Sequence, residues 1–192
     1  MKIALLRVGI DTGCGGMHGP LFRDGGFEYV PIPSSTGKHT YGNTRGRRSK
    51  PLASYFPLSR QNKVKMQRIH FDPEFKTFTY GDPTSPKAGL RRLERGDHLI
   101  FYSGLKGHGF KRSPALYVIG YFIVKAAGYA SSFSDKQIRR QFRTNHHIIA
   151  KDSRAALVLV KGGKGSRLFE RAVCISAGPS LRATEGFEEE GG

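Results

Sequence analysis

Asp11-Thr12-Gly13, at the end of an apolar run, is the residue order with which aspartic proteases present a carboxylate, and Val118-Ile119-Gly120 resembles their later apolar-apolar-Gly element. One copy cannot do that chemistry alone, because two carboxylates must share a proton. A homodimer would be required, and Gly15-Gly16-Met17-His18 stands where apolar residues should complete such a site. An Asp in a Gly-rich loop instead caps a turn through its own side chain or faces a ligand. Cys14 and His18 have the residue types of a nucleophile and its base. No third group can be named to orient the imidazole, so a thiol without a role is the simpler reading. His146 and His147 could join His18, His70 or His98 around a metal ion. Adjacent histidines diverge and no H-E-x-x-H spacing occurs, so no metal and no cofactor is expected. Gly162-Gly163-Lys164-Gly165-Ser166 lacks the eight-residue spacing of a phosphate loop and reads as a flexible basic hairpin. No catalytic residue is assigned on this basis.

What remains is charge interleaved with rings. The 192 residues hold 32 Lys and Arg against 15 Asp and Glu, a formal charge of +17. That balance predicts a polyanionic partner. Four of the 15 acids, Glu185, Glu188, Glu189 and Glu190, fall at the C-terminal end, so the body is more basic than the total. Between Tyr29 and Phe71 there is no acid, while Lys38, Arg45, Arg47, Arg48, Lys50, Arg60, Lys63, Lys65 and Arg68 supply nine cations. Arg45, Arg47, Arg48, Lys50, Lys63 and Lys65, with Arg139, Arg140 and Arg143 further on, are the candidate phosphate-binding residues. Tyr41, Tyr55, Phe56, Phe101, Tyr102, Phe110 and Phe142 lie among these cations, a combination suited to DNA or RNA, above all to single strands and extruded bases. No apolar run approaches the roughly 20 residues of a membrane span. Arg7 interrupts Met1 to Leu6 before a signal-peptide core can form. Cys14 and Cys174, the only cysteines, read as free thiols, and a cytoplasmic protein is expected.

The elements that must position these residues centre on Gly96 to Lys125. Asp97–Ser103 and Leu116–Lys125 are rich in β-branched and aromatic residues and flank a Gly-, Lys- and Pro-bearing loop, which predicts a β-meander. Lys2–Val8 reads as a central strand, because its apolar residues are consecutive. Phe27–Ile32 reads as a short strand, 34–50 as a loop or mobile segment, and Gln67–Phe78 as a strand pair before a turn at Tyr80-Gly81-Asp82-Pro83. A helix capped by Ser85, with Pro86 at its first position, should end at Gly96, and a second should start at Ser134 and run to Gln141 or Phe142. Ala155–Lys161 and Leu168–Ser176 read as strands about the Gly-rich hairpin. The expected fold is α+β: a small, strongly bent sheet or PUA-like β-barrel with two short helices. It is expected to form a single domain over residues 1–178, followed by a disordered acidic tail over 179–192.

Several stretches together resemble a known group. Arg7 to Gly13, Gly19-Pro20-Leu21-Phe22, Tyr29 to Pro33, Tyr80 to Pro83, Gly96-Asp97 to Gly104, and Asn145-x-His147 are similar to the nucleotide-modification-associated domain families, most closely the third type, over residues 3 to about 176. The resemblance implies a place in systems that make or handle modified DNA bases. G-D-x-x-x-F-Y at Gly96–Tyr102, followed by Ile119-Gly120-Tyr121, resembles more distantly the EVE, ASCH and YTH group of PUA-like barrels, which hold a base in a pocket. The chain has no Trp, so the YTH cage does not transfer. At the matching positions Asp11, Tyr102, Asn145 and His147 become candidate base-pocket residues. The function expected is that of a nucleic-acid-binding accessory or reader recognising a modified base. The alternative is an enzyme of base or nucleotide modification with Asp11 or His147 as general base, and a third possibility is a basic protein without a pocket. For Asn145 and His147 the competing reading is a helix cap and a packed histidine.

Overall fold

Strand β6 (His98–Gly107) alternates buried and partly exposed residues from His98 to Ser103, and β7 (Ala115–Tyr129) does the same over its first half, so each offers one face to a core. They pair antiparallel, with Leu99 opposite Phe122 and Phe101 opposite Gly120. The missing side chain at Gly120 has a second use. A Cβ there would lie 2.5 Å from the Arg167 carbonyl oxygen and 3.2 Å from the Phe75 ring, so two backbones and a ring meet at that point. The resulting aromatic core joins Phe75, Tyr80, Phe101 and Phe122, with Phe101 and Phe122 centroids 4.6 Å apart.

The computed structural model describes residues 1–176. The remaining strands are β1 (Ile3–Arg7), β2 (Gly19–Leu21), β3 (Ile32–Pro33), β4 (Ile69–His70), β5 (Thr79–Asp82), β8 (Val158–Gly162) and β9 (Arg167–Cys174). Helices are α1 (Leu58–Lys65), α2 (Asp135–Gln141) and α3 (His146–Ile149), with 3-10 turns at Leu52–Tyr55, Ser85–Arg92 and Ala130–Ser132. The main sheet runs β1-β6-β7-β8-β5, with β2 also parallel to β6 and β9 also antiparallel to β7; β3 and β4 form a separate pair. This is an α+β fold with a large mixed sheet. No pairing among the described strands closes it into a barrel, and no described helix is long and apolar enough to cross a membrane.

Several expectations are corrected. The first strand lies at the edge of the sheet path, paired in parallel with β6; Leu6 and Val8 are buried, whereas Ile3 and Leu5 are more than half exposed. A run of apolar residues thus serves an alternating strand. Tyr80-Gly81-Asp82 is part of β5 and not a turn. The segment from Ser85 is a 3-10 element ending at Arg92, with no side-chain cap; Gly96, at φ +92°, turns the chain into β6 instead of ending a helix. Gly162–Gly165 does not fold β8 back on β9. Both strands run antiparallel to β7 in succession, β8 opposite Val124–Tyr129 and β9 opposite Tyr117–Tyr121, with Gly163 and Ser166 bridging at Ile123. The segment 34–50 is a loop, but it is pinned: Tyr41 is fully buried and its hydroxyl donates to the Pro31 carbonyl at 2.7 Å. It packs in a second core with Ile10, Val30, Leu52, Phe56 and Val64. The tail expected from 179 onward lies outside the described residues.

Candidate functional site

Two groups of polar side chains deserve description, and the first lies where β4, β5 and α3 meet. Asn145 precedes α3 in an extended conformation, and its Oδ1 accepts the His147 N–H at 3.1 Å. That is an N-cap in geometry, and it fixes where the next two histidines project. Asn145 is fully buried, and its Nδ2 has no hydrogen-bond partner. Asp72 follows β4 by two residues, preceding a cis bond to Pro73. Its carboxylate accepts the Gly81 N–H at 3.0 and 3.2 Å, and its carbonyl accepts the Tyr29 hydroxyl at 3.0 Å. Gly81 has to be a glycine here. A Cβ would sit 2.8 Å from Asn145 Oδ1 and 3.1 Å from His147 Cδ2, so the bare strand lets both side chains abut β5.

His147 stands between two carboxylates, with Nδ1 2.6 Å from Asp152 Oδ2 and Nε2 3.4 Å from Asp72 Oδ2. His70, at the end of β4, directs Nε2 to within 3.7 Å of the same Asp72 oxygen. His146 stacks on His70 at 3.8 Å, and its Nε2 lies 3.3 Å from Thr36 Oγ1. Burial works against a charged imidazole at His147, but the hydrogen bonds and charges of Asp72 and Asp152 outweigh it and hold its pKa above the ordinary histidine value. Its neighbour behaves oppositely: burial, then the charges of His70 and His147, push the His146 pKa down to about 4.

The second group surrounds the first glycine-rich loop. Asp11 Oδ1 accepts the Cys14 N–H at 2.7 Å, the expected side-chain turn, and Oδ2 lies 3.2 Å from Arg7 Nε. Arg7 is the register partner of Tyr102, which is half-buried. Arg60 crosses over to hold the Gly15 and Gly16 carbonyls, each at 3.0 Å. Burial, with the Asp11 charge, pushes the Cys14 thiol up, the opposite of what a nucleophilic thiolate needs. His18 rests against Gly104, and burial followed by the Arg7 charge lowers its pKa. The four candidate pocket residues therefore fall into two groups, Asn145 in contact with His147, and Asp11 paired with Arg7, whose strand neighbour is Tyr102. His18 and His98 stand apart from the His70–His147 cluster, His98 lying against Tyr121.

Among the candidate phosphate-binding residues, several guanidiniums already have work within the chain. Arg45 donates to the Ser49 carbonyl and Arg47 to that of Phe169, while Arg48 pairs with Asp24 at 2.5 Å and covers the Phe22 ring at 3.7 Å. Lys50, Lys63, Lys65, Arg139, Arg140 and Arg143 are exposed, the arginines on α2 and just beyond it. That helix is held by a capping box in which Ser134 and Gln137 satisfy each other's backbone N–H.

Sequence reasoning missed Glu28, Asp72 and Asp152. Glu28 is buried, and its carboxylate accepts the Arg47 N–H at 2.7 Å; burial pushes its pKa up despite that bond. Its only sequence signal is to be the last acid before the acid-free stretch. A Cβ on Gly46 would lie 2.2 Å from this carboxylate. Gly46→Ala is expected to destabilise the protein by about 1–3 kcal/mol, the range for overfilling a packed site. Urea unfolding of the variant against the parent protein checks this.

A large mixed sheet, few helices and a buried histidine–carboxylate cluster define an α+β protein. The chain belongs to the family described as nucleotide modification associated domain 3, whose model matches residues 2–185. The family's description associates such domains with nucleotide modification. No curated protein and no solved structure matches the chain.

Proposed function

We propose that this protein binds nucleic acid as an accessory or reader in a system that makes or handles modified bases. The observation that carries the reading is the acid-free, cation-rich segment: its backbone is pinned by Tyr41 and Glu28, while Lys38, Lys50, Lys63 and Lys65 stay exposed. Cations on a fixed backbone hold phosphates at little ordering cost. Arg139, Arg140 and Arg143 extend the phosphate contacts, and Asp11 and Tyr102 are the residues proposed to meet the base, while the buried Asn145 and His147 form a separate group. The resemblance to PUA-like barrels belongs to the same proposal, supported by the antiparallel β6–β7 pair with its register shift at Phe101–Tyr102.

Tyr102→Ala tests the base contact. Tyr102 is half-buried on the face of β6 opposite to Phe101, so its ring can stack without being part of the core. The variant is expected to lose about 1–3 kcal/mol of single-strand binding, with duplex binding nearly unchanged, as read by fluorescence anisotropy. Equal losses on both substrates, or none, count against the assignment.

One observation favours the enzymatic reading: His147 is held by carboxylates at both ring nitrogens, as expected of a histidine whose proton matters. Asp11→Asn or His147→Gln should then abolish turnover of a modified nucleotide with binding intact. Loss of binding alone, with no turnover in the parent protein, supports the reader.

A further inference from the structure

The spacing inside the His70–Asp72–His147 cluster is long for hydrogen bonds. His147 Nε2 and His70 Nε2 stand 3.4 and 3.7 Å from one carboxylate oxygen, and the three ligand atoms lie within 4.8 Å of one another. A nitrogen–oxygen hydrogen bond prefers about 2.9 Å. Atoms that share an ion through bonds of about 2.1 Å stand roughly 3.0–3.4 Å apart in octahedral or tetrahedral arrangement; the His147–Asp72 pair falls in that range, and His70 needs a small side-chain rotation to close on it. His70 Nε2 is buried without a hydrogen-bond partner, a state that buried polar atoms seldom occupy unless something else satisfies them.

We infer that His70 Nε2, Asp72 Oδ2 and His147 Nε2 bind a divalent first-row transition ion. The outer contacts are those such a site requires. Asp152 holds His147 Nδ1 at 2.6 Å, which orients Nε2 inward and makes the imidazole a better donor, the usual carboxylate–histidine–metal arrangement. The single Gly81 N–H, 3.0 and 3.2 Å from the two Asp72 carboxylate oxygens, orients that carboxylate in the same way. Charge balances as well: Asp72 and Asp152 offset the two charges of the ion, with both imidazoles neutral. His146 is not a ligand, since its Nε2 faces Ser34 and Thr36. Two imidazoles and one carboxylate leave coordination positions open, the pattern of ions that meet a substrate or water. His147 Nε2 then holds the ion, so in the enzymatic reading His147→Gln removes the ion and not a general base, and Asp11 is left as the candidate base. None of this depends on the nucleic-acid reading, since the ion alone is the probe.

The test uses the full chain, stripped with a chelator and titrated with Zn²⁺ and, separately, Co²⁺. One ion per chain is expected, bound in the micromolar range or tighter. His70→Ala and His147→Ala should each weaken binding by more than roughly 100-fold and Asp152→Asn by about 10–100-fold, with His108→Ala as an unchanged control. Circular dichroism establishes that each variant is folded. X-ray absorption at the zinc edge of the parent protein needs no variant and should show nitrogen and oxygen ligands without sulfur. No bound ion, a sulfur ligand from Cys14 or Cys174, or ligand variants that bind like the parent protein would overturn the site.

Discussion

Between 50 and 200 mM salt, duplex DNA binding by the full chain is expected to weaken by at least about 100-fold, with the acid-free segment contributing roughly −3 to −4 to the slope of log K against log salt and Arg139, Arg140 and Arg143 adding to it. The estimate comes from asking which cations are free to meet phosphates. Of the nine in the acid-free segment, the guanidiniums of Arg45, Arg47, Arg48, Arg60 and Arg68 hold carbonyls or carboxylates of the chain itself. That leaves the lysines at 38, 50, 63 and 65, all exposed. Each neutralised phosphate releases bound counterion, which contributes about −0.9 to the slope. Fluorescence anisotropy at four or five salt concentrations checks this, and Lys63→Ala with Lys65→Ala should make the slope shallower by about 2 units. A slope near zero would show that the exposed lysines are not the phosphate contacts.

Phe101→Ala is expected to cost about 3–5 kcal/mol of stability, the range for removing a fully buried ring from a core. Phe101 has no exposed surface and meets Phe122, Phe75 and Tyr80 with centroids 4.6, 5.4 and 6.2 Å away. Its cross-strand partner, Gly120, has no side chain that could move into the space. Denaturant unfolding should show a lower midpoint at unchanged slope. A loss below about 1 kcal/mol would mean that the neighbouring rings collapse into the gap, contrary to the packing of this core. The adjacent Tyr102, pointing to the other face, is the internal comparison.

These two residues also show what the sequence could reveal. The β6–β7 pair was legible because strand pairing between neighbours leaves a local pattern of alternation and turns, and α2 because Ser134 and Gln137 form a local signal. Turn caps were legible for the same reason, at Asp11 and at Asn145. The edge position of β1 was not, since a strand's neighbours are chosen by tertiary pairing and its exposed Ile3 and Leu5 look like core residues. Helix α1 was missed because it buries only Val64, so no apolar stripe marks it. The histidine–carboxylate cluster was beyond reach for a different reason: His70 and His147 meet through Asp72 only after β4, β5 and α3 have assembled, and no spacing encodes that. Family resemblance supplied Asn145 and His147, but not the Asp72 and Asp152 that give His147 its setting.

The parallel pairing of β1 with β6 carries a consequence for how the chain is made. Ile3 sits beside His98, and the Lys2 N–H reaches the Asp97 carboxylate across 95 residues of sequence. During synthesis the first strand therefore leaves the ribosome long before its partner exists, with Ile3 and Leu5 among its side chains and its backbone groups unpaired. Such high contact order slows folding, and a waiting apolar strand is open to pairing with other chains. Asp97 counters this once it arrives, because its one carboxylate receives both the Lys2 and the Glu94 N–H groups and so ties the start of β1 to the turn at Gly96. Until β6 is made, no partner in this sheet satisfies the backbone of β1.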